Sequence, residues 1–186
     1  MKFVFILALF LVPSFSWAST CPEVPDYDAE LEALIEEVRV AKNADQAQKI
    51  SNQMWELWTD APDEVAQALL DRGMTAISSS NFFEAKQTFD LLVEYCPDYA
   101  EGYNQRAYVN FLSQNYSQAL LDLNLALERA PRHIGALSGK SLSLLALNRI
   151  DEARIALQEA LELNPWLSER RLMDPSGPLA PMGEDI

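Results

Sequence analysis

From Asp63 to Leu163 apolar residues recur every three or four positions, in stretches of about a dozen residues divided by short polar turns. That period belongs to amphipathic helices and not to strands. One stretch holds Tyr103, Ala107 and the Val109–Leu112 run. Ser113-Gln114-Asn115 makes a polar turn, and the spacing of Ala119, Leu123, Ala126 and Leu127 predicts a second helix from Tyr116 to Arg129. Arg129 stands in its last turn, where a cation suits the helix dipole, and Pro131 ends it. The plan repeats from Ile134 to Leu163 with Asn148 at the turn, and precedes itself from Asp63 to Tyr95 with a turn at Ser78-Ser79-Ser80-Asn81.

These units share a period of 34 residues: Pro97, Pro131 and Pro165 are evenly spaced, as are Ala85, Ala119 and Ala153. The same offset joins Phe82, Tyr116 and Ile150, then Phe89, Leu123 and Leu157, then Leu92, Ala126 and Ala160. It also joins Leu69, Tyr103 and Leu137, and the small residues Gly73, Ala107 and Ser141. Helices approach closely only where a side chain is small, so the small columns predict helix contacts and the large ones the filling between hairpins. A single hairpin cannot bury its own stripe, so the units must stack.

A small residue in the first helix, an aromatic opening the second, then Ala, a bulky apolar residue, a small or apolar residue and Pro resemble the tetratricopeptide repeat family. The resemblance covers Asp63 to Pro165. This chain departs from the family pattern at Ala76, Asn110 and Leu144, where Tyr is common, and at Ser80, Gln114 and Asn148, where Gly is common. The resemblance implies an all-α fold, a right-handed solenoid of stacked antiparallel helix pairs. Three repeats are expected over 63–97, 98–131 and 132–165.

Upstream, residues 19–62 carry a less regular helical hairpin. Leu31, Leu34, Ile35 and Val38 form one stripe, and Ala47, Ile50, Met54 and Leu57 another, with Trp55 and Trp58 beside it. Asn43 followed by Gln46 fits a capping box between the two. The repeat columns fail in this region, so it reads as an atypical cap over the first repeat's open flank. Residues 166–186 read as a short helical piece at Trp166–Met173 and a flexible tail rich in Pro and Gly.

Residues 1–18 have the three regions of a secretory signal: Lys2, an apolar run from Phe3 to Val12, and small residues at Ser16 and Ala18. Ten apolar residues span about 15 Å as helix, too short for a bilayer core, so no membrane span is expected in the mature form. Export is expected, to the periplasm ahead of the cell exterior. In that oxidising setting Cys21 and Cys96 either pair, or Cys96 is a small buried hydrophobe and Cys21 is free.

Composition narrows the partners. With 14 Lys and Arg against 28 Asp and Glu, the net charge is −14, which repels phosphate backbones and argues against nucleic acid. The single histidine, His133, falls in a turn without the Cys or Ser context of a nucleophile. Glu36-Glu37 and Asp151-Glu152 read as solvated helix faces. Neither a Gly-rich phosphate loop, a serine elbow nor a zinc spacing is present, so no cofactor, metal or catalytic activity is expected.

The basic column Arg72, Arg106 and Lys140 looks like an anion-binding ladder, but the resemblance implies a structural ion pair of Arg106 with Asp122 across the second hairpin, which leaves Arg72 and Lys140 freer to meet a carboxylate. The resemblance puts the first helices on the concave face. The lining there is then Leu70, Met74 and Ile77, next Asn104, Tyr108 and Phe111, next Ser138, Leu142 and Leu145. Only Asn104 suits a clamp for a C-terminal carboxylate. The groove is apolar, with a trough at Gly135, Ser138 and Gly139 beside Tyr108, and suits a helix or extended peptide of another protein. A second copy of the chain, making a homodimer, and the chain's own N-terminal helices are the competing occupants.

Overall fold

The computed structural model describes residues 20–180; the signal-sequence expectation over 1–18 lies outside them, as do residues 181–186. Among the described residues eight α-helices follow one another: α1 (Asp28–Arg39), α2 (Ala44–Trp58), α3 (Glu64–Ser78), α4 (Phe82–Tyr95), α5 (Ala100–Leu112), α6 (Tyr116–Arg129), α7 (Ile134–Ala146) and α8 (Ile150–Leu163). A 3₁₀ segment at Ser168–Met173 follows α8, and the described residues include no strand. Helices α3 to α8 form three antiparallel pairs, and successive pairs stack through α4 on α5 and α6 on α7.

The repeated columns lie inside these pairs. Ala85, Ala119 and Ala153 are buried, as are Phe89, Leu123 and Leu157 and then Leu92, Ala126 and Ala160. Size is exchanged across the first hairpin: a Cβ on Gly73 would fall 2.4 Å from the Phe89 ring, so only glycine admits that aromatic. Ala107 and Ser141 occupy the Gly73 column where the Phe89 column has shrunk to leucine. The Ser141 hydroxyl donates to the Ala153 carbonyl at 2.8 Å, which satisfies it between the helices.

Each first helix ends in the same way. Ser80, Gln114 and Asn148 have φ of 59°, 61° and 59°. The following amides of Asn81, Asn115 and Arg149 donate to Ala76, Asn110 and Leu144 at 2.8, 2.8 and 2.9 Å. This is the Schellman arrangement, in which a left-handed residue lets the chain reverse while closing the last carbonyls. It explains why glycine suits these positions, and this chain uses none.

At the middle hairpin Asp122, fully buried, receives Arg106 through Nη2 at 2.6 Å and Nε at 3.2 Å, and the Asn110 amide at 3.0 Å. Arg106 Nη1 also reaches Asp90 on the preceding hairpin at 3.1 Å. Burial opposes the guanidinium charge, but the hydrogen bonds and field of Asp122 and Asp90 outweigh it and hold the Arg106 pKa above its usual value. The pair therefore ties α5 to both α6 and α4.

The N-terminal hairpin corrects the expected capping role. Instead of covering the first repeat's flank, α1 touches α8. Ile35, Val38, Ile50 and Met54 share a core with Ile134, and Leu163, Trp166 and Leu167 pack against it. Arg39 Nε donates to the Glu162 carbonyl at 2.8 Å, Asn164 donates to Ser51 Oγ at 3.0 Å, and Arg132 pairs with Glu32. The apolar stripes of α1 and α2 are buried against the third pair. Asn43 does cap α2, accepting from the Gln46 amide at 2.9 Å, while Gln46 returns to the Lys42 amide at 3.0 Å.

The tail expectation also needs correction. The described segment after the 3₁₀ turn folds back, and Leu179 is wholly buried in the core of Leu144, Ala153 and Leu157. Arg154 holds the Leu179 and Ala180 carbonyls at 3.2 Å each. This leucine thereby covers the outer side of the α7–α8 pair.

Cys21 and Cys96 are joined by a disulfide with a Cα–Cα distance of 5.1 Å. It fastens the described N-terminus to the end of α4 and closes a sequence separation of 75 residues. Cross-linking a loop of that size stabilises by roughly 4 kcal/mol in the chain-entropy picture.

Two stability outcomes are expected. Gln114→Gly relieves a left-handed backbone and should stabilise by about 1 kcal/mol, raising Tm by about 2–4 °C, whereas Asn148→Gly should gain less because Asn tolerates that conformation. Equal gains, measured by thermal unfolding, would contradict this account of the turns. Cys21→Ser should lower the denaturant midpoint by the equivalent of about 2–4 kcal/mol with helix content retained by circular dichroism.

Candidate functional site

The inner surface of α5 and α7 is where side chains leave room. On α5, Asn104, Tyr108 and Phe111 sit four and three residues apart and share one face. On α7, Gly135, Gly139 and Leu142 do the same. Gly139 packs closely, since a Cβ there would stand 3.1 Å from Leu123 Cδ2 and that leucine tip would have to give by a few tenths of an ångström. The two glycines leave a flat strip of backbone beside Tyr108, which is 49% exposed.

Two adjoining cavities open on this strip and share Tyr108, Gly135, Gly139 and Leu142. The smaller, about 160 Å³, lies against Phe111, Ala107 and Leu123. The larger, about 530 Å³, is walled by Trp55, Trp58, Met54 and, from beyond α8, Trp166. Gln48, Asn52 and Asn164 supply neutral polar groups on that side. Among the described residues, Glu169 is the only charged one lining either cavity.

Of the nine residues expected in the groove, the structure brings Asn104, Tyr108, Phe111, Ser138 and Leu142 to these cavities. Leu70 corrects the expectation: it is fully buried in the core holding Phe89, Tyr99 and Val109, because α3 lies against α5 and its inner face is consumed by that contact. Met74 and Ile77 lean on the same core. Leu145 packs instead on the core of Leu144 and Leu157. Residues of α2 replace the lost lining. Their signal in the sequence was the pair Trp55 and Trp58, three apart and off the apolar stripe of α2.

Arg72 is likewise not free for a ligand, since it pairs with Glu84 at 2.8 Å. Lys140 lends a favourable field to Glu152, whose carboxyl is held low chiefly by Arg149. Glu36 pairs with Arg39, and Asp151 with Arg154, as solvated charges do.

His133 takes a role that a turn residue does not announce. It is buried and caps α7, its Nδ1 accepting from the Ala136 amide at 3.2 Å. The ring proton therefore sits on Nε2, which donates to Glu101 Oε2 at 2.7 Å. Glu101 is buried as well, and accepts from Gln105 Nε2 at 2.6 Å and Asn104 Nδ2 at 3.0 Å. Trp58 stacks on the His133 ring at 4.4 Å, and Tyr99 donates to the Trp58 carbonyl at 2.8 Å. Burial, then the Glu101 charge, pushes the Tyr99 phenol well above its usual pKa, so it remains a donor at any physiological pH. This joint fixes α2, and hence its tryptophans, over the end of α7.

Among the described residues no cluster of three or more His, Cys, Asp or Glu could hold a metal ion. No helix among them is long and apolar enough to cross a membrane.

The family profile called Tetratricopeptide repeat matches residues 135–165, which span α7 and α8. A TPR repeat-containing protein of Rhizobium etli is 32% identical over 61% of this chain and 56% of its own length. The Hsp70/Hsp90 co-chaperone cns1 of Schizosaccharomyces pombe is 31% identical over 56% of this chain and 30% of its own. This chain thus spans roughly half and a third of those curated relatives. Among solved structures, the first TPR of Spaghetti (RPAP3) bound to the HSP90 peptide SRMEEVD superposes with a TM-score of 0.56 at 24% identity. That match covers 57% of this chain and 84% of the other, and it speaks to the fold alone. The matched profile, the relatives and the 34-residue columns buried in register agree on a stack of helix pairs similar to those of tetratricopeptide repeat proteins, with residues 135–165 matching the repeat itself.

Proposed function

We propose that the protein is a non-enzymatic adaptor that holds a segment of another protein in the cleft between α2, α5 and α7, and that it works in the cell envelope. The observation that carries this reading is the cleft itself. Trp55 at 43% exposure and Tyr108 at 49% face it across a glycine-floored trough. Large aromatics left open in a formed cavity mark a surface for which burial by a partner is favourable. Relatives and fold neighbours are described as co-chaperones or as complexes with peptides, which supports a peptide ligand.

The chemistry of this cleft differs from that needed for an acidic C-terminal peptide such as SRMEEVD. No Lys or Arg lines either cavity, so nothing there repays the desolvation of carboxylates. An apolar segment without charge at its centre fits. The Cys21–Cys96 bridge supports a location outside the reducing cytosol.

A photo-cross-linking residue at position 55 in the native cell should give discrete adducts with another protein. The same residue at Phe83, which is 75% exposed on α4, should not. Replacing both Tyr108 and Trp55 with Ala should weaken capture of the adduct partner about 30-fold or more, with helix content unchanged. Adducts containing only this chain, or a dimer in sedimentation at micromolar concentration, would replace the external partner with a second copy.

A further inference from the structure

The cleft carries negative charge on two sides, and among the described residues no positive charge lines it. Glu169, half-buried, lines the larger cavity, and its Oε2 accepts from Ser168 Oγ at 3.1 Å. No Lys or Arg of the described residues pairs with it. Arg170, next in sequence, lies over the Trp166 ring at 5.8 Å and lines neither cavity. The second charge is Glu101, sealed behind the smaller cavity: Asn104 and Gln105 line that cavity, and both donate to this carboxylate. Its third donor, His133, is neutral because Nδ1 accepts from the Ala136 amide. Among the described residues, then, only neutral donors hold the Glu101 charge. Such a charge keeps its field, since a low-dielectric interior screens it less than water does.

A partner segment enters against this field. An acidic group meets repulsion from both sides, added to the −14 of the whole chain. A cation meets attraction, and the walls decide where it sits. In the smaller cavity Ala107, Phe111, Leu123 and Leu142 would strip its water with no charged group to replace it. In the larger cavity Glu169 stands with Trp55 and Trp166, and a carboxylate and an indole both attract a cation that stays partly hydrated.

We infer that the partner segment is apolar at its centre and carries a lysine or arginine at the end that reaches Glu169. This rests on the groove reading above and adds to it the charge of the ligand. The apolar centre lies over the glycine strip beside Tyr108, and the cation sits in the larger cavity. Glu101 and Glu169 together select against acidic segments.

Three synthetic peptides test the charge apart from the groove. Each is blocked at both termini and shares the core Gly-Leu-Phe-Leu-Gly. Each has the same residue at both ends, lysine, glutamine or glutamate, so either direction of entry brings that residue to Glu169. They are titrated into the folded chain while the indole N–H resonances of Trp55 and Trp166 are followed. The lysine peptide should bind about threefold tighter than the glutamine peptide and about tenfold tighter than the glutamate peptide, as a half-exposed ion pair gives way to repulsion. Glu169→Gln should weaken the lysine peptide about threefold and leave the glutamine peptide within about twofold. Equal binding of the lysine and glutamate peptides by the native chain overturns the inference without any variant. A lysine preference that Glu169→Gln leaves undiminished also overturns it, because the preference then comes from the overall charge of the chain. So does the absence of indole shifts with every peptide. In each of those cases cross-linking at position 55 and loss of partner capture by the Tyr108 and Trp55 double variant still uphold the groove, so the two readings fail separately.

Discussion

Close approach between helices at one small residue per hairpin is the constraint on which this molecule is built. Gly73 accepts the Phe89 ring at a distance no Cβ would allow, and Ala107 and Ser141 take its place where the opposing residue is leucine. Because the exchange recurs every 34 residues, each pair presents the next with a nearly identical surface, and stacking buries an apolar stripe that no isolated pair could hide. The consequence for function is geometric. Stacked pairs place their first helices side by side, and α5 and α7 together make a surface wider than either.

That surface would be an open trough without the N-terminal hairpin. The buried carboxylate of Glu101 gathers His133, Asn104 and Gln105, and His133 in turn caps α7 and carries Trp58 on its ring. A buried charge is tolerated only when its hydrogen-bonding capacity is filled, and here filling it joins α5, α7 and α2 at one point. The tryptophans of α2 are thereby held as a wall opposite Tyr108, and the groove becomes a cleft with two sides. The same hairpin restricts what can enter, since part of the inner face that a bare stack would offer is already covered.

Much of the fold was legible in the residues. The helix from Tyr116 to Arg129, the capping by Asn43 and the turns at Ser80, Gln114 and Asn148 depend on interactions within a few positions of the chain. The pairing of Arg106 with Asp122 was implied by the family resemblance and is present in the structure. The placement of Leu70, of the N-terminal hairpin and of Leu179 could not. Leu70 sits in the same local pattern as Asn104 and Ser138, yet it is sealed by α5 while Asn104 meets open space. An apolar stripe states that a partner surface exists and is silent on which one.

By itself the chain therefore determined its period, its helix ends and the residues that let hairpins nest, since all of these follow from short-range sterics and repeated spacing. Only the tertiary structure decided that α1 and α2 reach the third pair, that His133 and Glu101 meet in the interior, and that Leu179 returns to the core of the last pair. Those outcomes depend on the curvature accumulated over three stacked pairs, a sum of small rotations that brings distant segments into contact without leaving a mark at any one position.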